Sequence, residues 1–166
     1  MALGQTVQSS VGLYAGKRYA GQVDTLQLNN VTDGILDTAT AAFGVPLART
    51  ATGVKPFVLA ADKFVGFSVR KHTQTNAYNS TVSPVYEIGD SLSILNFGYI
   101  VVEAESDVVK GGSVFIRYAS GAGGTVLGAV RADADTATAV EVSTVKFAES
   151  AAAGDLVRVV VTQLAE

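Results

Sequence analysis

The chain of 166 residues has no cysteine, which excludes disulfides, thiolate metal sites and cysteine nucleophiles. Tryptophan is also absent and aromatic residues make up only 8%, a poor supply for the stacked-ring platforms that bind sugars. A single histidine, His72, is too few for a histidine-based metal set, and no nucleophile-elbow motif places a serine for it to activate. Charge is scarce: Asp, Glu, Lys and Arg together make 16%, below the usual share of about a quarter. Such a surface suits a chain covered by something else, an oligomer or an assembly component. The net charge of −3, with no stripe of basic residues, argues against a nucleic-acid partner. No apolar run approaches the roughly 18 residues that span a bilayer, so no membrane partner is expected. The first twenty residues, MALGQTVQSSVGLYAGKRYA, lack a basic leader and a continuous apolar stretch. They do not read as a signal peptide, and the chain is expected to be made and kept in the cytosol.

What remains is β material. Apolar residues make 48% of the chain, rich in Ala and Val, and mean hydropathy is +0.32. Seventeen glycines against three prolines suit many tight turns. Residues 1–21 are polar with isolated apolar positions and read as an extended or flexible N-terminal arm. Residues 22–166 read as a single β domain. Its centre is Tyr86–Arg117, where Leu92–Ile94, Tyr99–Val102 and Ser113–Arg117 look like three short strands. Further strands are expected at Val23–Leu28, Ala41–Leu47 (an edge strand or its end, because of Pro46), Phe57–Ala60 and Phe64–Arg70. Others are expected at Thr125–Arg131, Ala139–Val142, Val145–Phe147 and Leu156–Val161. Gly89, Gly111 and Gly154 each stand just before a strand, where a turn needs positive φ. Some ten short strands with glycine turns imply an all-β antiparallel sandwich or barrel of jelly-roll type. Between Lys71 and Pro84 the sequence KHTQTNAYNSTVSP is a long polar loop, and long loops in compact domains tend to be functional.

Reactive constellations are weak. Glu103 and Glu105 share a parity, as the paired carboxylates of a glycosidase would, but such pairs are usually a solvated strand end. Asp133 and Asp135 begin a calcium-loop pattern that then fails, because Thr138 and Thr144 stand where glycine and glutamate are required. Gly121-Ala122-Gly123-Gly124 is no phosphate loop, having no Lys-Ser or Lys-Thr after it, and reads as a flexible surface turn. The glycosylation sequons at Asn30 and Asn79 carry no meaning without a secretion signal. No catalytic residue, metal or cofactor is expected.

Several blocks, taken in order, resemble the capsid cement (head decoration) proteins of tailed phages. They are Asp62–Gln74 (DKFVGFSVRKHTQ), Ile88–Leu95, Gly98–Val102, Val108–Arg117 and Gly121–Val140 (GAGGTVLGAVRADADTATAV). The similarity runs from about Phe43 to the C-terminus. It implies a non-enzymatic virion protein on the exterior of an icosahedral capsid, assembled in the host cytoplasm. Such a protein clamps neighbouring major capsid protein subunits and acts as a homodimer or homotrimer. Contacts to the shell or between subunits are then expected from the arm (Tyr14, Lys17, Arg18, Tyr19) and from the long loop (His72, Gln74, Asn76, Tyr78). The alternative is a carbohydrate-binding or adhesin-like β-sandwich.

Overall fold

The computed structural model describes residues 18–71 and 85–162. Its strands are β1 (Asn30–Ile35), β2 (Pro46–Arg49), β3 (Val54–Pro56), β4 (Phe64–Ser68), β5 (Ser91–Glu103), β6 (Ser113–Arg117), β7 (Val130–Arg131), β8 (Ala139–Phe147) and β9 (Leu156–Val161). Among the described residues there is no helix. The strands pair antiparallel into one curled sheet in the order β3-β2-β4-β5-β9-β8-β6-β7, with β1 added on β5. The fold is all-β and compatible with the jelly-roll type.

β5 organises the rest. It has thirteen residues and joins the two strands expected at Leu92–Ile94 and Tyr99–Val102 into one, with a bulge at Asn96 between them. Asn30 pairs with Phe97 and Val31 with Leu95, so Asn96 is left without an opposite number. An extra residue shifts the two-residue alternation by one. Leu95 therefore lies in the same core cluster as Ile100 and Val102, although their parities differ. Two residues on, Gly98 takes φ +117°, and a Cβ there would run into the side chain of Asn29. Asn29 accepts from Tyr99 N–H at 3.2 Å and donates to the carbonyls of Asp24 (2.7 Å) and Gln27 (2.8 Å). Before the bulge β5 is flanked by β1 and β4, and after it by β9 and the Val23 bridge to Ile100.

Two apolar clusters result. The larger joins Phe67, Leu95, Ile100, Val114, Ile116, Phe147 and the inward valines of β9. The smaller joins Leu36, Phe43, Leu47, Tyr86, Leu92 and Ile94. β9 is the strand the sequence marks most clearly, and Val157, Val159 and Val161 alternate inward. Gly89, Gly111 and Gly154 have φ of +89°, +81° and +84°, as their recurring turn requires.

Other expected strands are corrected by local hydrogen bonding. Val23–Leu28 is not a strand: Asp24 Oδ1 accepts from Leu26 N–H at 3.1 Å, turning the chain and exposing Leu26 and Leu28. Phe57–Ala60 is likewise a turn, because Asp62 Oδ2 accepts from the N–H groups of Val58 (3.0 Å) and Leu59 (2.9 Å). The strand lies just before it, at β3. Pro46 starts β2, where its missing N–H costs no ladder bond, but β2 lies between β3 and β4 and is not an edge. Thr125–Arg131 narrows to β7, and the two runs from Ala139 to Phe147 are one strand.

Candidate contact surface and charged clusters

Of the residues expected at the contact, Arg18 and Tyr19 are placed. Tyr14, Lys17, His72, Gln74, Asn76 and Tyr78 lie outside the described residues. The segment Arg18–Gly21 lies against the sheet: Gly21 N–H donates to Val101 O, and Arg70 N–H to Gly21 O, both at 2.8 Å. Arg70 and Lys71 lead directly into residues 72–84. The described ends of both expected contact segments are thus joined by one hydrogen bond, which their sequence separation hides. Side chains reinforce the junction. The Arg70 guanidinium lies 4.8 Å from the Tyr19 ring centre and 5.3 Å from that of Phe43, within cation–π range. Phe43 meets Tyr86 edge-on at 5.3 Å, and the Tyr86 hydroxyl donates to Val69 O at 2.6 Å. Burial pushes the Tyr86 phenol above its ordinary pKa, so it stays a donor at neutral pH.

Arg18 forms an ion pair with Glu149, which follows β8. Glu149 Oε1 also accepts from the backbone N–H of Arg158 at 2.9 Å. The Arg158 side chain bonds Asp24 at 2.9 Å and lies over Tyr99. Burial would raise the Glu149 pKa, but the Arg158 N–H and the Arg18 guanidinium outweigh it and hold the carboxyl below its ordinary value.

A second cluster lies inside the body. Arg117, fully buried at the end of β6, donates from Nε to both oxygens of Glu105 at 2.8 and 2.9 Å. Its other nitrogens donate to Asp135 Oδ2 (2.8 Å), Thr138 Oγ1 (3.0 Å) and Ala119 O (3.2 Å). Arg131 adds ion pairs to Glu105 and Asp135, both at 3.1 Å, and to Asp133 at 2.8 Å. Burial would push the Arg117 guanidinium down, yet Glu105 and Asp135 shift it up, so it remains protonated. For Asp135, desolvation is outweighed by Arg117 and by the Gly123 N–H, and its pKa falls below the ordinary value. Asp135, Thr136 and Ala137 all have positive φ, a strained turn tied down by Tyr118 O–H to Ala137 O at 2.6 Å.

This cluster corrects two expectations. Gly121–Gly124 is not a loose surface turn: Cβ atoms at Gly121, Gly123 and Gly124 would strike Asp135, Arg131 and Glu105. Glycine is needed there for space. Glu105 is not on a solvated strand end either, since it is ion-paired to two buried arginines. Glu103, at the end of β5, is exposed. Among the described residues, no group of three or more His, Cys, Asp or Glu could hold a metal ion.

Residues 7–162 match the family of structural cement proteins represented by E217 gp24 and Pam3 gp6. The chain belongs to this family. As a cement-family member it is a structural phage protein. Among solved structures, a chain from the capsid of Myoviridae phage XM1 has the same fold. The TM-score is 0.70 at 19% identity, covering 89% of this chain and 92% of that one. The N base of head fiber gp8.5 of bacteriophage phi29 aligns more loosely, with TM-score 0.39 at 16% identity over 84% of this chain and 99% of that one. No curated protein matches the chain.

Two features of this cement-family chain are absent from the sequence reading. One is the pairing of Arg117 and Arg131 with acids up to 26 residues away. The available signal was that each arginine closes an apolar run, SVFIR and GAVR, where an unpaired charge would be costly. The other is the exposure of Leu26 and Leu28, since Val23–Leu28 alternates as a strand would.

Proposed function

We propose that this chain is a non-enzymatic cement on the exterior of an icosahedral phage capsid, added during assembly in the host cytoplasm. It bridges neighbouring major capsid protein subunits and acts as a homodimer or homotrimer. Tyr14, Lys17, Arg18, Tyr19, His72, Gln74, Asn76 and Tyr78 make contacts to the shell or between subunits. The family match over residues 7–162 carries the reading. The hydrogen bond of Arg70 N–H to Gly21 O supports the choice of contacts, because it brings the described ends of the two segments together. The task needs no bond-making site. It needs many modest contacts that become intramolecular once the first has formed, and preferential binding to the assembled shell stabilises that shell by mass action.

Co-sedimentation with mature, expanded capsids tests this. Binding is expected to saturate at a fixed ratio to shell subunits and to raise the temperature at which capsids rupture. Replacing Arg18 and Tyr19 together by alanine is expected to weaken binding by about tenfold or more, as loss of an Arg or Tyr anchor does. Capsids that neither bind the protein nor gain heat resistance would sink the proposal.

A further inference from the structure

Exposed large apolar side chains gather at one edge of the sheet. Leu26 is 91% exposed and Leu28 81%, and Val31, Ile35 and Phe97 are exposed as well. The first four lie in one short segment, and Phe97 faces Asn30 across the β1–β5 ladder. β1 pairs with β5 on one side, and no described strand lies on the other. Edge strands are normally blunted by lysine, proline or a kink. From Thr25 to Ile35 there is no lysine, arginine or proline. The one charge, Asp33, accepts from Ser93 Oγ at 3.2 Å, on the β5 side. An apolar edge left this open marks a binding surface.

We infer that β1 is a self-association edge, on which two copies of the chain pair β1 against β1, antiparallel, across a two-fold axis. The inference deepens the proposed function, resting on it only for the expectation of a homo-oligomer. Charge favours a second copy as the occupant. Each chain carries a net charge of −3, so two copies repel wherever their acids meet. The stretch Thr25–Ile35 carries a single acid, and two copies approach there with little opposition. Identical antiparallel strands are self-complementary, as an isologous contact must be. Asp33 then sets the register. Pairing centred on Asp33 would oppose two carboxylates. Pairing centred on Val31 opposes Asn30–Thr32 of the two strands, keeps the two Asp33 apart and sets the two Val31 side by side. The sheet of one copy then continues into the next, and Val31 is covered.

The chain has no cysteine, so single introduced thiols report cleanly. Full-length protein is examined by light scattering after size exclusion, beside the double variant Leu28→Lys/Val31→Lys and the single variants Val31→Cys and Val109→Cys. Val109 is exposed but lies in the loop before β6. Wild type is expected at twice the chain mass of 17.1 kDa and the double-lysine variant at the single-chain mass. Val31→Cys is expected to form a disulfide-linked dimer on mild oxidation, and Val109→Cys to form none. If the lysine variant fails to fold, the thiol pair decides alone. A monomeric wild type overturns the inference, as does a trimer, or an oligomer that survives both lysines with no Val31 cross-link. Capsid sedimentation separates the two proposals. A monomer that still coats capsids removes the β1 dimer and leaves the cement reading standing. A β1-linked dimer that ignores capsids does the reverse. Loss of capsid binding in the lysine variant of a monomeric wild type would assign the edge to the shell and overturn self-pairing.

Discussion

The clusters around Arg117 and around Arg158 use the same chemistry on opposite sides of a burial boundary. Arg117 is out of water altogether, and the two acids that answer it, Glu105 and Asp135, come from separate parts of the chain around the Gly121–Gly124 turn. Arg158 and Arg18 stay partly wet, and their acids, Asp24 and Glu149, flank the place where the N-terminal segment meets the sheet. Buried ions lose hydration and depend on every partner being present, so removing one leaves the others stranded. Wet ions can turn to water and salt instead, and each pair is worth little. The inner cluster therefore fixes the shape of one end of the body. The outer one ties the N-terminal segment to the sheet by contacts that water can replace.

The largest expected effect comes from breaking the inner cluster. Arg117→Met removes the guanidinium that bonds both acids and leaves Glu105 and Asp135 facing one another with only Arg131 between them. A loss of about 3–5 kcal/mol is expected in urea unfolding. Adding Glu105→Gln should recover part of it, because one stranded charge is gone. A loss below about 1 kcal/mol would put Arg117 on the same footing as a surface arginine and erase the distinction. Next in size is Gly124→Ala. Its methyl group would strike the Glu105 carboxylate and lie 3.3 Å from an Arg117 nitrogen. Overpacking of this kind costs about 1–3 kcal/mol. A turn that was merely flexible would accept alanine with no loss.

Acid should reach both clusters. Asp135 and Glu149 are held below their ordinary values, and so is Asp62, where burial is outweighed by Lys55 and by the N–H groups of Val58 and Leu59. A carboxyl depressed on folding contributes stability above its unfolded pKa, and that contribution disappears as pH falls through the folded value. The urea midpoint is therefore expected to stay level near neutrality and to drop below about pH 4. The comparison sharpens in Arg117→Met, where Asp135 has lost its main partner and the acid-induced drop should be smaller than in wild type. An equal drop in both proteins would mean that the outer cluster and Asp62 account for it.

How far the sequence could be read depends on how local the cause was. β9 was legible because three inward valines alternate without interruption, and the turns at Gly89, Gly111 and Gly154 because positive φ selects glycine within a few residues. β5 was divided because the bulge at Asn96 resets the alternation, which looks in sequence like an ending. Val23–Leu28 alternates as a strand would, yet one Asp24 side chain captures the backbone and turns it. Gly121–Gly124 was misread for another reason. Its glycines are answers to side chains brought in by β6, β7 and the Asp135 turn, and no local window contains them. At the candidate contact, the aromatic and basic residues near Arg18 and Tyr19 were visible. Their meeting with Arg70 was not, since it depends on how β4 is placed beside β5.

The smallest expected change in stability tests the outer cluster alone. Arg18→Ala removes the ion pair to Glu149 but leaves Glu149 the Arg158 N–H, so no charge is stranded. Because Arg18 is 44% exposed, its pair is screened, and a loss of at most about 1 kcal/mol is expected, shrinking further in high salt. The prediction has force because the same residue is proposed to touch the shell or a neighbouring subunit. A variant that melts within a few degrees of wild type yet binds capsids more weakly would separate the two duties of Arg18. A variant destabilised as much as Arg117→Met would instead mean that the N-terminal segment is part of the core structure, and the contrast between a fixed end and a releasable one would fall.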